Sequence, residues 1–255
     1  MMRIFAVISL LILPAAPASA ANINIAFTDD SVEVDTGFSG ARLTLFGAVT
    51  GVENPENEID IVSVIRGPDT RFELRQMEKS NLIWTPGKAR AVDGAPGLYL
   101  TYATRNVGDI APLPTQAAYR LRADFLNLDI GGEAAAGAPP DTRENLLYGK
   151  AFLSEAEKLG IYRAHTGGVE FKKGELFTIH VDLPANTPVG AYAVSVFLFR
   201  DGEVLDSDVA TLTVNKVGAE RRIYEFAHNR PVSYGIACVV LSLFAGWIAS
   251  LAFRK

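Results

Sequence analysis

The 23 residues from Pro231 to Phe253 carry no charge, and that run constrains this chain more than any other feature. At about 1.5 Å per residue, a helix of that length reaches roughly 34 Å, enough to cross the hydrocarbon core of a bilayer. Arg230 stands before the run, and Arg254 and Lys255 follow it. Tyr234 lies where an interfacial aromatic belongs. The pattern predicts a single transmembrane helix over 231–253, held by membrane lipid, with 254–255 as a short tail.

A second apolar run, Ile4 to Leu13, is too short to stay in a membrane. Arg3 precedes it, Pro14 ends it, and Ala18-Ser19-Ala20 supplies small residues for cleavage, which is the pattern of a signal peptide over 1–20. Export would leave the new N-terminus at Ala21 outside. The later span would then stop with Lys255 in the cytoplasm and the bulk of the chain in the periplasm. Lys216, Arg221, Arg222 and Arg230 crowd the outer end, against the positive-inside tendency, so order of export decides the expected orientation.

Between Ala21 and Arg230 there are 21 basic and 29 acidic residues, a balance of −8. That argues against a nucleic-acid binder, which shows a basic stripe. The one cysteine, Cys238, falls inside the apolar run, so no disulfide can staple a protomer.

Short runs of branched and aromatic residues punctuated by turn residues predict a first β region over 21–110. Its strands are expected at Asn22–Phe27, Ala41–Val49, Ile59–Arg66 and Arg71–Gln76, with Pro86-Gly87 and Pro96-Gly97 among the turns. In Ala41–Val49, Leu43 and Leu45 share one face and Phe46 takes the other, so cover on both faces is expected there. A helical connector is expected over 111–160. Ala117, Leu121, Phe125 and Leu128 have helical spacing, and a second helix is expected from Asp141 or Thr142 to Leu159 after a small-residue linker, with Gly160 as its stop. Strands return over 161–217 at Leu176–Leu183, Ala191–Phe199 and Val204–Val214, the last two joined by an Asp201-Gly202 turn. A juxtamembrane segment, 218–230, then leads to the span.

The fold class that follows is mainly β: an immunoglobulin-like antiparallel sandwich, in one or two units, with an inserted helical connector and one C-terminal transmembrane helix. Pro96-Gly97-Leu98-Tyr99 and Pro188-Val189-Gly190-Ala191-Tyr192 each lead into a strand. Tyr99 and Tyr192 are therefore candidates for a tyrosine corner, in which a hydroxyl ties the preceding connection to the strand. Tyr and Gly are common in strands in any case, and that plainer reading stays open.

Several stretches together resemble the alphaproteobacterial putative transmembrane protein family. They are Phe38-Ser39-Gly40 through Leu45-Phe46-Gly47, Val64-Ile65-Arg66-Gly67-Pro68, Ile83-Trp84, Leu183-Pro184 through Tyr192, and Tyr224-Glu225-Phe226-Ala227. The resemblance covers essentially the whole mature chain. It implies a signal peptide, one C-terminal span and an inner-membrane address, and no activity.

No catalytic motif, nucleotide loop or metal-ligand spacing is present in the sequence. His165, His180 and His228 stand apart from one another, and the acidic turns (Asp29 to Asp35, Glu53 to Asp60, Asp201 to Asp208) lack the repeating signature of a calcium loop. No enzyme activity and no cofactor are expected. In the span, Ser242, Gly246 and Ser250 recur every four residues, with Ala245 and Ala249 alongside, a stripe that lets another helix approach. The expected role is a membrane-anchored periplasmic accessory or interaction protein with a membrane or periplasmic protein partner. The alternative is a solute- or ion-binding subunit of an inner-membrane transporter, with a pocket walled by Trp84, Tyr99 or Tyr102.

Overall fold

The computed structural model describes residues 21–35, 37–80, 83–131, 142–172, 174–217 and 226–252. The expected signal peptide (1–20), the small-residue linker beyond Gly131, Asp141 and residues 218–225 of the juxtamembrane segment lie outside them.

The strands of the N-terminal region are β1 (Asn22–Phe27), β2 (Ser31–Val34), β3 (Ala41–Thr50), β4 (Asp60–Arg66), β5 (Phe72–Ser80), β6 (Ile83–Asp93) and β7 (Tyr99–Ala103). A one-turn helix, α1 (Pro55–Glu58), lies between β3 and β4. After β7 come α2 (Val107–Ile110), α3 (Leu113–Ala118), a 3-10 turn at Ala123–Phe125, β8 (Asp129–Gly131) and the long helix α4 (Thr142–Lys158). The remaining strands are β9 (Tyr162–Thr166), β10 (Val169–Phe171), β11 (Leu176–Leu183), β12 (Gly190–Arg200) and β13 (Glu203–Lys216), before the C-terminal helix Pro231–Ala252.

Two sheets share one hydrophobic core. One has the order β1-β3-β11-β10, the other β2-β13-β12-β4-β7-β9; β5, β6 and β8 form a smaller third sheet. Pairing is antiparallel except at the edges of the six-stranded sheet, where β2 runs parallel to β13 and β9 parallel to β7. The first and second β regions contribute strands to the same two sheets. β3 pairs with β11 and β4 with β12, so strands from before and after the connector interleave in both sheets. The apolar content of β4 explains this. Ile61, Val62, Val64 and Ile65 are all buried, so the strand needs neighbours and cover that the N-terminal region alone does not supply.

Burial on β3 alternates instead. Leu43, Leu45 and Val49 face the core while Phe46 is half exposed, so only one face is covered, contrary to expectation. The face left over by Leu45 and Val49 includes Gly47, directly opposite Phe177 of β11. A Cβ at Gly47 would fall 2.0 Å from Phe177 Cζ, because that ring lies across the strand.

Two further expectations change. The helix expected over 116–128 stops at Ala118, and Arg120 takes a positive φ of 48° that reverses the chain. The reversal turns the Arg120 and Leu121 carbonyls onto β7, where the Tyr99 and Thr101 hydroxyls donate to them. Apolar spacing there serves several layers rather than one helix face. Pro86-Gly87, expected as a turn, lies inside β6. At that point β6 has, among the described residues, a partner on one side, and beside the bulge between Arg75 and Met77 a missing N–H costs no ladder bond there. α4 does end as its sequence indicates. Gly160 has φ 71° and the Ile161 N–H donates to the Ala156 carbonyl at 3.1 Å. Asp201 and Gly202 both take positive φ, the condition for a tight primed hairpin between β12 and β13.

Gly47→Ala is expected to lower folding stability by about 1–3 kcal/mol through overpacking against Phe177. Urea unfolding midpoints of parent and variant measure it, and coincident midpoints would show that the ring moves aside freely.

Candidate functional site

The outer face of β7 is closed by a chain of rings. Phe72 of β5 meets Phe152 of α4 at 5.1 Å between centroids, Phe152 meets Tyr162 of β9 at 5.7 Å, and Tyr162 meets Tyr99 of β7 at 5.8 Å. The hydroxyls at the inner end all bond to backbone. Tyr162 donates to the Pro96 carbonyl at 2.9 Å and Tyr99 to that of Arg120. Tyr192 donates to the Pro188 carbonyl, four residues upstream, at 2.6 Å. The Tyr192 bond thus runs back to the connection before its strand, whereas the Tyr99 bond runs to a later segment. Burial pushes all three phenols well above the ordinary tyrosine range.

Tyr99 and Thr101 also wall an open cleft of about 450 Å³ between β7, β9 and the connector. Its rim brings opposite charges together: Arg122, paired with Asp124 at 2.5 Å, faces Glu157 and Arg163. Such a rim suits a small polar solute with charges of both signs. Of the three aromatics expected to wall a pocket, only Tyr99 lines this one. Tyr102 is buried on the inner face of β7, where its hydroxyl accepts the Asp182 N–H at 3.2 Å, and Trp84 is 61% exposed on β6.

Trp84 belongs to an arm that sequence reasoning divided at Pro86-Gly87. β5 and β6 form a ribbon that β8 supports only at Ala91–Asp93. α4 lies along it: Tyr148 donates to Gln76 Oε1 at 3.4 Å, and the Arg90 guanidinium sits 4.9 Å over the Tyr148 ring. Past this contact, Met77, Ile83 and Trp84 stand 51%, 67% and 61% exposed, and Leu146 and Leu147 of α4 are exposed as well.

His165 and His180 each lie against a neighbouring strand. His165 stacks on Tyr102 at 4.6 Å, and burial, then the Arg163 charge, lowers its pKa against an opposing pull from Asp182. His180 Nδ1 lies 3.2 Å from Thr44 Oγ1. Carboxylates from the acidic turns have structural partners. Asp60 binds Arg105 through both oxygens, and Asp206 and Asp208 accept the backbone N–H groups of Ile23 and Ile25 at 2.9 Å. Among the described residues no group of three His, Cys, Asp or Glu could hold a metal ion.

In the C-terminal helix, the stretch Pro231–Ala249 has a mean hydropathy of 2.0, and none of it is buried against protein. Ser242 turns its hydroxyl back to the Cys238 carbonyl at 2.8 Å, and nothing lies within 4 Å of a Cβ placed at Gly246. The Ser250 side chain lies outside the described residues.

The family described as "Putative transmembrane protein (Alph_Pro_TM)" matches residues 22–255. The chain belongs to this family. Among the described residues one C-terminal helix is long and apolar enough to cross a membrane, which fits a single-pass Alph_Pro_TM protein, and the body is a β-sandwich. No curated protein matches the sequence significantly. Among solved structures, similarity is found to the sporulation control protein Spo0M of Bacillus subtilis, at 13% identity and a TM-score of 0.30. The overlap takes in 82% of this chain and about half, 55%, of Spo0M. Similarity to the native form of E. coli alpha-2-macroglobulin is looser, at 12% identity and a TM-score of 0.25 over 76% of this chain and 10% of that one.

Two outcomes are expected from the tyrosines. Tyr192→Phe removes one hydroxyl-to-carbonyl bond and is expected to cost about 0.5–1.5 kcal/mol in denaturant unfolding. The raised phenols stay protonated in the fold after their unfolded counterparts ionise near pH 10. Their stabilisation is therefore complete below about pH 10 and falls away as pH rises further. Melting temperatures across that range should decline on the alkaline side, less steeply in Tyr192→Phe.

Proposed function

We propose that this Alph_Pro_TM protein is an exported accessory protein that works by contact rather than catalysis, with its sandwich in the periplasm and Lys255 in the cytoplasm. In this reading a signal peptide over 1–20 sends the body across the inner membrane, and the C-terminal helix holds it there beside a membrane or periplasmic protein partner. The observation that carries it is the 19-residue stretch Pro231–Ala249, apolar throughout and uncovered by any part of the body. A helix of that kind fixes an address and leaves its small-residue face, including Gly246, open to another helix.

A second reading is favoured by the cleft under Arg122, Asp124, Glu157 and Arg163: solute or ion binding in the service of a transporter. Its volume suits a metabolite-sized ligand, since ligand sites commonly span about 300–1,000 Å³.

A periplasm-only reporter enzyme fused after Lys255 is expected to be inactive, and the same reporter fused after Val217 in a truncated chain active; the reverse result would overturn the topology. Crosslinking of the full-length protein in membranes should capture a partner that Gly246→Leu loses. Capture undiminished by that change would move the contact from the helix to the body. Solute binding, if it is the function, should be abolished by Arg163→Glu in calorimetric titration while partner capture persists.

A further inference from the structure

The β5–β6 ribbon differs in charge from the body that bears it. Across 72–93, Arg75, Lys79, Lys88 and Arg90 outnumber Glu73, Glu78 and Asp93 by one, whereas residues 21–230 as a whole carry −8. Cross-strand register puts these charges beside the exposed apolar groups. Lys79 pairs directly with Trp84, and Met77 with Pro86, so all four share one face; Ile83 pairs with Ser80 on the other face at the tip. Lys79, Lys88, Met77, Ile83 and Trp84 are all exposed. A two-stranded ribbon of this kind is poorly stabilised in water, and large uncovered apolar groups on it call for a partner surface.

We infer that the ribbon docks on the anionic headgroup surface of a lipid bilayer, with Trp84, Ile83 and Met77 entering the interface and Lys79 and Lys88 meeting lipid phosphates. Three observations favour lipid over protein. Positive charge stands beside the exposed apolar groups of the ribbon, Lys79 and Lys88 on the strands that carry Met77 and Trp84, which matches an anionic surface. An indole beside a lysine is the combination that interfaces favour, with the ring at headgroup depth and the ammonium reaching outward. The C-terminal helix also keeps a bilayer at high effective concentration beside the ribbon, so weak contacts suffice. Each basic residue near an anionic surface contributes about fivefold to binding. The inference is independent of which side of the membrane the body occupies.

Trp84 supplies its own probe, because the only other tryptophan, Trp247, lies in the span. Full-length protein carrying Trp247→Phe would be reconstituted into vesicles of phosphatidylcholine alone or with one-third phosphatidylglycerol, each with or without brominated acyl chains. Expected are blue-shifted Trp84 emission and quenching by bromine in the phosphatidylglycerol vesicles, with the quenched fraction at least halved in Lys79→Glu/Lys88→Glu or in high salt. Thermal melts of that variant should match the parent, since both lysines stand outside the core; a lowered melt would be resolved by the salt series, which needs no substitution. Unquenched Trp84 in both vesicles would overturn the inference. So would equal quenching with and without phosphatidylglycerol, or a blue shift that appears without bromine quenching and grows with protein concentration, which marks a second copy on the ribbon.

Discussion

Burial of β4 and β7 on both faces is the constraint from which the rest of the architecture follows. Five consecutive buried residues in each strand, Ile61–Ile65 and Tyr99–Ala103, demand two covering layers. The four-stranded sheet provides one. The other is assembled from the connector and α4, and it explains why a chain built mostly of antiparallel pairs admits β9 in parallel with β7. A parallel partner requires a long crossover, and that crossover is itself the missing layer.

The ring chain Phe72–Phe152–Tyr162–Tyr99 joins that layer to the ribbon. Its inner end is fixed by hydroxyl bonds to backbone carbonyls, which leaves those tyrosines neutral and committed. Its outer end holds only the base of β5. The ribbon thus runs from a root pinned among aromatics to Met77, Ile83 and Trp84, which stand exposed. The same layer frames the charged cleft, so cleft and ribbon share a foundation while exposing different chemistry: mixed charges in one, basic and apolar groups in the other.

Much of the fold was legible in the residues. Runs of branched and aromatic residues between turn signals placed β1, β3, β11, β12 and β13 within a residue or two, and Asp201-Gly202 gave its hairpin. What the sequence could not disclose was pairing. β3 finds β11 across more than a hundred residues, and nothing in either strand names its partner. The ribbon was missed because Pro86-Gly87 imitates a turn, and its place beside the bulge between Arg75 and Met77 makes proline acceptable there. The cleft was invisible for a related reason, since Arg122, Glu157 and Arg163 meet only after Arg120 reverses the chain. The Tyr192 hydroxyl bonds locally, four residues back, while Tyr99 bonds to a segment 21 residues away that its own sequence neighbourhood does not name.

Membrane confinement gives the Asp206 and Asp208 contacts a meaning beyond the fold. β1 is an edge strand, and its outward N–H groups at Ile23 and Ile25 would otherwise be ready to zip onto a neighbour's backbone. Molecules tethered in a plane meet far more often than molecules free in solution, so an open β-edge on a tethered body is a standing invitation to polymerise. Two carboxylates that occupy those donors close that part of the β1 edge to strand addition.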